Sequence, residues 1–245
     1  MSTIDELLKH DLALWVGKNT EILHGRSRYC ALNSIRFLNF ASDTFEISPI
    51  VSAFCALNAL EEAVASFVSA AKSCGHRDYA KDVNIHDHKI KALVSIIAQR
   101  ITKIVSDSGA SVAIRDDRHL AFRLIIEGKA HYGDLSLSIF RPNKVENESF
   151  GILLGEMPSL AELRSEVQRD ADARNKLLYA SDGGIPSGFV SPEAELVRAA
   201  KLSLGMIWAA IDIHLSTKAD RPFVDEMLKQ IVAFSKDKKK QNCDE

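Results

Sequence analysis

The chain has 245 residues, of which 46% are hydrophobic and 26% are charged. This composition suits one large globular core and excludes a disordered chain. The net charge is -2 and the pI is about 6.5. Because a dedicated duplex-DNA binder is normally clearly basic, any nucleic-acid site on this chain must be a local patch.

The cysteine pattern excludes a zinc ribbon and a disulfide framework, since none of the four cysteines forms a paired Cys-x-x-Cys motif. The amphipathic N-terminus lacks the apolar core of a signal peptide. No run approaches the roughly 18 apolar residues of a transmembrane span. We therefore expect a cytoplasmic protein without a membrane partner.

Helical periodicity dominates the first 105 residues of the chain. Apolar residues recur at helical spacing over 3–23, and a break is expected at Gly25. A second helix is predicted over 27–41, with Leu32 and Phe40 among its inward residues. Ser48 and Pro49 have the residue types of an N-cap and a first helical position, so a third helix should run over 50–71. A fourth is predicted over 83–105.

The pattern then changes to the period-two alternation of β-strands over 112–115, 120–126 and 135–140. The pairs at 116–117 and 133–134 are predicted as turns. Helical periodicity returns over 159–178, 191–215 and 220–234, and the charged tail 236–245 is expected to be flexible. The sequence predicts one mostly α domain over 1–245, a helical bundle with a small antiparallel β-meander inserted at about 111–141.

Three charged or polar residues interrupt apolar helical stripes: Glu61, His86 and Arg174. A buried charge is costly unless it is paired, so these residues are expected to meet where their helices pack. Their flanking residues Glu62, His88, Lys89 and Tyr179 are candidate substrate-binding groups. Such a cluster either positions a phosphate and transfers protons or serves only as a structural ion pair that fixes helix register.

Several chemistries have no support in the sequence. There is no P-loop, no dinucleotide-binding glycine motif and no nucleophile elbow, so no nucleotide-cofactor enzyme is indicated and no cofactor is expected. His86 and His88 lie two residues apart and would face different directions on a helix, which disfavours a metal site. The lysine-rich tail and the arginines beside the meander are either RNA contacts or ordinary solvated charges.

Three segments in order resemble AbiV-type abortive-infection proteins, within the broader HEPN group of helical domains. They are Ala56 to Glu62 with its double glutamate, His86 to Lys91, and Arg174 to Tyr179 followed by a loop and a long helix. Together they span about residues 26–217. The resemblance implies an all-α core, a homodimer and a role in halting phage growth. It also implies catalytic roles for Glu61, His86 and Arg174.

Many HEPN relatives are metal-independent ribonucleases with an Arg and a following His at a short, fixed spacing. In this chain Arg115 and His119 are closer than that spacing, while Arg123 and His131 are further apart. Two hypotheses therefore stand. The first is a defence effector that acts on RNA or translation, as a metal-independent ribonuclease. The second is a non-catalytic interaction or regulatory subunit of a defence or toxin-antitoxin system, with a protein partner or phage trigger.

Overall fold

The computed structural model describes residues 3–107, 109–141, 152–153, 159–178, 192–217 and 220–241. Within these ranges the protein is mostly helical and contains a three-stranded antiparallel sheet, which confirms the predicted fold class at that level. The helices are α1 (Thr3–Lys9), α2 (Asp11–Asn19), α3 (Gly25–Thr44), α4 (Pro49–Ser73), α5 (Arg77–Ala80), α6 (His88–Asp107), α7 (Leu160–Leu178), α8 (Pro192–Leu215) and α9 (Pro222–Gln241). The strands are β1 (Ser111–Ile114), β2 (Leu120–Ile126), β3 (Lys129–Leu135), β4 (Phe140–Arg141) and β5 (Ile152–Leu153).

Helix α4 lies at the centre of the bundle and packs against α3, α6, α7 and α8. It begins as its sequence predicts, because the Ser48 hydroxyl accepts a hydrogen bond from the backbone N–H of Val51 at 3.4 Å and Pro49 occupies the first turn. Its buried faces are rich in alanine, including Ala56, Ala59 and Ala63. Small side chains allow the neighbouring helices to approach closely, so α4 serves as the common packing surface of the bundle.

Helices α3 and α4 form an antiparallel hairpin that is joined by buried serine contacts. The Ser27 hydroxyl donates to the backbone carbonyl of Ser66 at 3.0 Å, and the Ser66 hydroxyl donates to the carbonyl of Ser27 at 2.8 Å. At the other end, Ser52 donates to the carbonyl of Ala41. These reciprocal bonds satisfy polar groups inside the helix interface and fix the register of the two helices.

Within the described ranges, α4 is also the one helix that is long and apolar enough to cross a membrane by length and composition. However, 61% of the residues in its most apolar window are buried inside the bundle. The core helix of a globular protein has the same properties, so α4 is weak support for a membrane span.

The meander follows the order β1-β2-β3, with Leu120 opposite both Ile114 and Leu135. The prediction of β2 is confirmed, but the third strand and its preceding turn were placed wrongly. The β2–β3 turn lies at Glu127 and Gly128, whose φ angles are 51° and 75°. Both central residues of a type I′ hairpin turn need positive φ, a conformation that Gly adopts without strain. Gly133, which we expected in a turn, pairs with Phe122 inside the sheet.

The meander is docked onto the helices instead of standing apart from them. The Trp15 indole N–H of α2 donates to the backbone carbonyl of Asp116 at 3.0 Å. The ring of Phe140 packs against that of Phe223 of α9, with centroids 6.2 Å apart. Leu120 and Leu137 join the same buried cluster as the central helices. The sheet therefore shares one hydrophobic core with the bundle.

Several predicted helix boundaries are wrong, and at two of them a local side-chain cap overrides the apolar period. The first helix is divided at His10, whose Nδ1 accepts from the backbone N–H of Leu12 and caps α2. The fourth begins at His88 and not at residue 83. The last continues past Phe234 to Gln241.

The apolar faces of α3 and α4 are covered only in part by neighbouring elements. Leu38 of α3 and Val64 and Val68 of α4 are buried as expected. In contrast, Leu32 and Phe40 of α3, which we expected to face inward, are exposed, and so are Ile50 and Phe54 in the first turns of α4. Helical period alone marks an apolar face, but neighbouring elements decide how much of that face is covered.

Candidate functional site

The carboxylate of Glu61 is the centre of the cluster that the sequence predicted. It projects from α4 towards α6, and its side chain is only 15% exposed. Both carboxylate oxygens lie 2.8 Å from Nδ1 of His88. The ammonium group of Lys91, one turn further along α6, lies 3.3 Å from Oε2. Glu61 is therefore paired, and its partners include His88 and Lys91.

His86 was one of the predicted partners, beside Lys89 and Arg174, and the local structure places it elsewhere. The side chain of Asn84 accepts from the backbone N–H of His86 at 3.1 Å, which turns the chain before the helix. Asp87 then acts as the N-cap, because its carboxylate accepts from the backbone N–H of Lys89 at 2.9 Å. His86 is consequently an exposed turn residue, and the expectation that it lies on an apolar helical face is wrong.

The Glu61–His88 pair lies at the wall of a small cleft between α4, α6, α7 and α8. The cleft has a volume of about 50 Å³, room for a few water molecules. Further polar groups lining it are Gln99, Asp170 and Arg198. The Arg198 guanidinium donates to Glu195 at 2.7 Å and to the Gln99 side chain at 3.4 Å. The site thus combines a carboxylate–imidazole pair with two cationic groups, Lys91 and Arg198.

Two of the other predicted site residues, Glu62 and Lys89, do not line the cleft beside Glu61. Glu62 faces α3, where its charge and a hydrogen bond act on Cys30. Burial, and then Glu62, raises the pKa of the Cys30 thiol above its ordinary value. Lys89 is exposed at the start of α6. The backbone of Arg174 lies in α7 as predicted, but its side chain and the whole of Tyr179 lie outside the described residues.

A carboxylate that holds Nδ1 of a histidine performs a recognisable chemical task. A carboxylate is only an acceptor, so Nδ1 carries the proton and Nε2 is the free basic nitrogen. The His88 side chain is 61% exposed, which leaves this ring accessible. Such a pair orients an imidazole for proton transfer and stabilises the imidazolium that forms. Among the described residues no three His, Cys, Asp or Glu side chains converge as ligands for a metal ion.

A second polar cluster lies at the N-terminal end of α3, and the sequence reasoning missed it. The rings of His24 and His214 meet edge to face, with centroids 5.6 Å apart. Nδ1 of His214 lies 3.5 Å from the sulfur of Cys74. Burial, and then the like charge of His24, lowers the pKa of His214 below its ordinary value. These residues are far apart in the chain, so no local spacing could have connected them.

The sequence reasoning also missed a buried ion pair that has a structural task. Arg221 is 1% exposed, and its Nε donates to the carboxylate of Asp212 at 3.1 Å. Its other nitrogens donate to the backbone carbonyls of Ser216 and Asp212, each at 2.6 Å. The same carboxylate accepts from the backbone N–H of Leu137 at 3.1 Å. This network joins the end of α8, the start of α9 and the meander.

Comparison of the chain with protein-family models, with curated proteins and with solved structures finds no match. The resemblance to AbiV-type proteins therefore stays a prediction from three sequence segments.

Proposed function

We propose that this protein is an AbiV-like, HEPN-like abortive-infection effector that acts on RNA as a metal-independent ribonuclease. The observation that carries the proposal is the Glu61–His88 pair, because its geometry suits proton transfer without a metal ion. Its position also agrees with two of the three segments that resemble the family. His88 takes the catalytic role that the sequence assigned to His86.

In the proposed reaction, Nε2 of His88 accepts the proton of a ribose 2′-hydroxyl. The 2′-oxygen then attacks the adjacent phosphorus, and the 5′-oxygen leaves with a proton from water. The products are a 2′,3′-cyclic phosphate and a 5′-hydroxyl. Glu61 stabilises the imidazolium, while Lys91 and Arg198 offset negative charge on the phosphate. Arg174 and Lys89 remain proposed phosphate contacts, and Glu62 and Tyr179 remain proposed substrate contacts.

The test is incubation of purified protein with total bacterial RNA, with and without a chelator. We expect cleavage that survives the chelator and leaves cyclic-phosphate ends. Replacing His88→Ala or Glu61→Gln should lower the rate by about a hundredfold or more, the typical contribution of general acid–base catalysis. The matched control is His86→Ala, because His86 is exposed in the adjacent turn and does not line the Glu61 cleft.

If His88→Ala and Glu61→Gln both cleave RNA at the wild-type rate, the Glu61–His88 pair is not the catalytic site. Intact RNA with every protein would instead favour the second candidate, a non-catalytic interaction subunit. That candidate is supported by the exposed apolar residues of the α3–α4 hairpin, defined as Tyr29, Leu32, Phe40, Ile47, Ile50, Val51 and Phe54.

We also propose that the protein is a homodimer through these hairpin residues. Apolar side chains recur on each helix at helical spacing, and Tyr29 and Ile47 are 72% and 84% exposed. Exposed apolar side chains concentrated on one hairpin are the kind of surface that marks an interface. A second copy is the proposed occupant because a two-fold interface uses the same surface on both subunits and covers both stripes at once.

A further inference from the structure

The cleft around His24 and His214 is larger than the one beside Glu61, at about 520 Å³. It lies where α3 begins and where α4 and α8 end, and its wall includes Arg26 and Ser69. No Asp or Glu is among the described residues that line it. The described residues of this wall therefore include the cation of Arg26 and no carboxylate.

Two buried polar atoms in this wall can act as hydrogen-bond donors and lack a partner among the described residues. Nε2 of His214 has no hydrogen-bond partner among the described residues, and it carries a proton when the Cys74 thiol donates to Nδ1 of the same ring. The buried hydroxyl of Ser69 also has no partner there. An unmatched buried donor is costly, and a ligand that consists of acceptors would relieve that cost.

The backbone adds donors at the same place. Helix α3 is 20 residues long, and its N-cap residue His24 makes no capping side-chain hydrogen bond. The first N–H groups of a helix lack intrahelical partners and favour a negative charge. Arg26 stands in this first turn and lines the cleft, and its side chain also forms a hydrogen bond with the Cys30 thiol one turn further along α3.

We propose that this cleft is a binding site for a phosphate group, separate from the Glu61–His88 site. A phosphate offers acceptor oxygens to the Arg26 guanidinium, the His214 ring N–H, the Ser69 hydroxyl and the first turn of α3. It also offsets the repulsion between the two imidazoles when they are protonated. The remaining volume accommodates an organic group attached to the phosphate. The proposal does not depend on ribonuclease activity.

The test is titration calorimetry of the full-length protein with sodium phosphate, against sodium chloride at equal ionic strength. We expect saturable binding of phosphate that is about tenfold weaker in Arg26→Gln, the usual loss for one charge-assisted hydrogen bond. Arg28→Gln is the matched control, since Arg28 is an exposed cation on the same helix outside the cleft wall. Ser69→Ala should also weaken binding, and unchanged thermal unfolding of Arg26→Gln checks its fold.

Three further probes identify the source of the phosphate: adenosine monophosphate, a 5′-phosphorylated oligoribonucleotide and the same oligoribonucleotide with a 5′-hydroxyl. Tighter binding of one phosphorylated probe than of inorganic phosphate assigns that class. Equal binding of inorganic phosphate, adenosine monophosphate and the 5′-phosphorylated oligoribonucleotide assigns the phosphate group alone. No heat beyond the chloride control, or equal affinity of the Arg26→Gln and Arg28→Gln variants, would overturn the proposal. Glu61→Gln and His88→Ala should bind phosphate normally, so the two proposals fail independently.

Discussion

The Asp212–Arg221 pair shows how single residues hold distant elements of this protein together. Both side chains are almost completely buried, at 11% and 1% exposure, so each charge has lost most of its hydration. The desolvation is compensated only while all the hydrogen bonds of the network are made. The pair therefore contributes to the unique docking of α8, α9 and the meander, more than to the total free energy of unfolding.

Removing one partner of this pair should be far more damaging than removing a surface charge. We expect Asp212→Ala to lower the free energy of unfolding by about 3–5 kcal/mol, because the buried cation of Arg221 would lose its carboxylate partner Asp212. Urea denaturation measures the effect. The control is Glu226→Ala, which breaks the more exposed 4.0 Å pair with Lys229 and should cost at most about 1 kcal/mol. Similar losses in the two variants would contradict this account.

At the candidate site, the sequence predicted one residue of the pair correctly but not the other. The sequence identified Glu61 because a carboxylate interrupts an apolar stripe, which predicts a partner. It did not identify which neighbour is that partner. Asn84 and Asp87 decide that locally by starting α6 at His88, so His88 and Lys91 share one face, three residues apart. Side-chain capping before residue 88 was the signal that could have corrected the assignment.

At the scale of elements, the meander depends on a close contact between its strands. The contact is possible because residue 133 is a glycine and has no side chain. The ring of Phe122 on β2 lies over Gly133 on β3, so a Cβ atom at residue 133 would stand 2.5 Å from Cζ of that ring. Phe122 is 4% exposed and belongs to the buried side of the sheet. The ring thus occupies the space that any other residue at position 133 would fill.

We therefore expect Gly133→Ala to lower the free energy of unfolding by about 1–3 kcal/mol, the usual cost of overpacking a core. Gly205→Ala in α8 is the matched control, because a Cβ there would meet nothing within 4 Å. In a helix interior that change should stabilise the protein by about 0.5–1 kcal/mol. Thermal and urea unfolding of both variants measure the difference. A neutral Gly133→Ala would mean that Phe122 moves aside freely.

At the scale of the whole molecule, the exposed residues of the α3–α4 hairpin lead to a prediction about assembly. If a second copy covers them, Phe54→Asp should convert a dimer into a monomer, because a carboxylate would be buried without a partner in the interface. Light scattering after size-exclusion chromatography gives the mass directly. Leu14→Asp is the control, since Leu14 is 58% exposed on α2, away from the hairpin. A wild-type protein that is monomeric at high micromolar concentration would exclude this dimer.

The sequence by itself determined the elements whose signals are local. The cap at Ser48, the proline at position 49 and the period of the apolar residues placed α4, and the same kind of pattern placed α7 and α8. Alternating residues placed β2, and the change of period located the meander. Capping and periodic burial involve residues within a few positions of each other, so a linear sequence contains that information.

Only the tertiary structure decided which faces are covered and which polar groups meet. It left Phe40 and Phe54 exposed on predicted inward stripes, and it brought His24 to His214 and Asp212 to Leu137. These outcomes depend on how helices dock, and docking is determined by the shapes of several distant segments at once. Residue type and local period therefore predicted that charged groups need partners, while packing chose the partners.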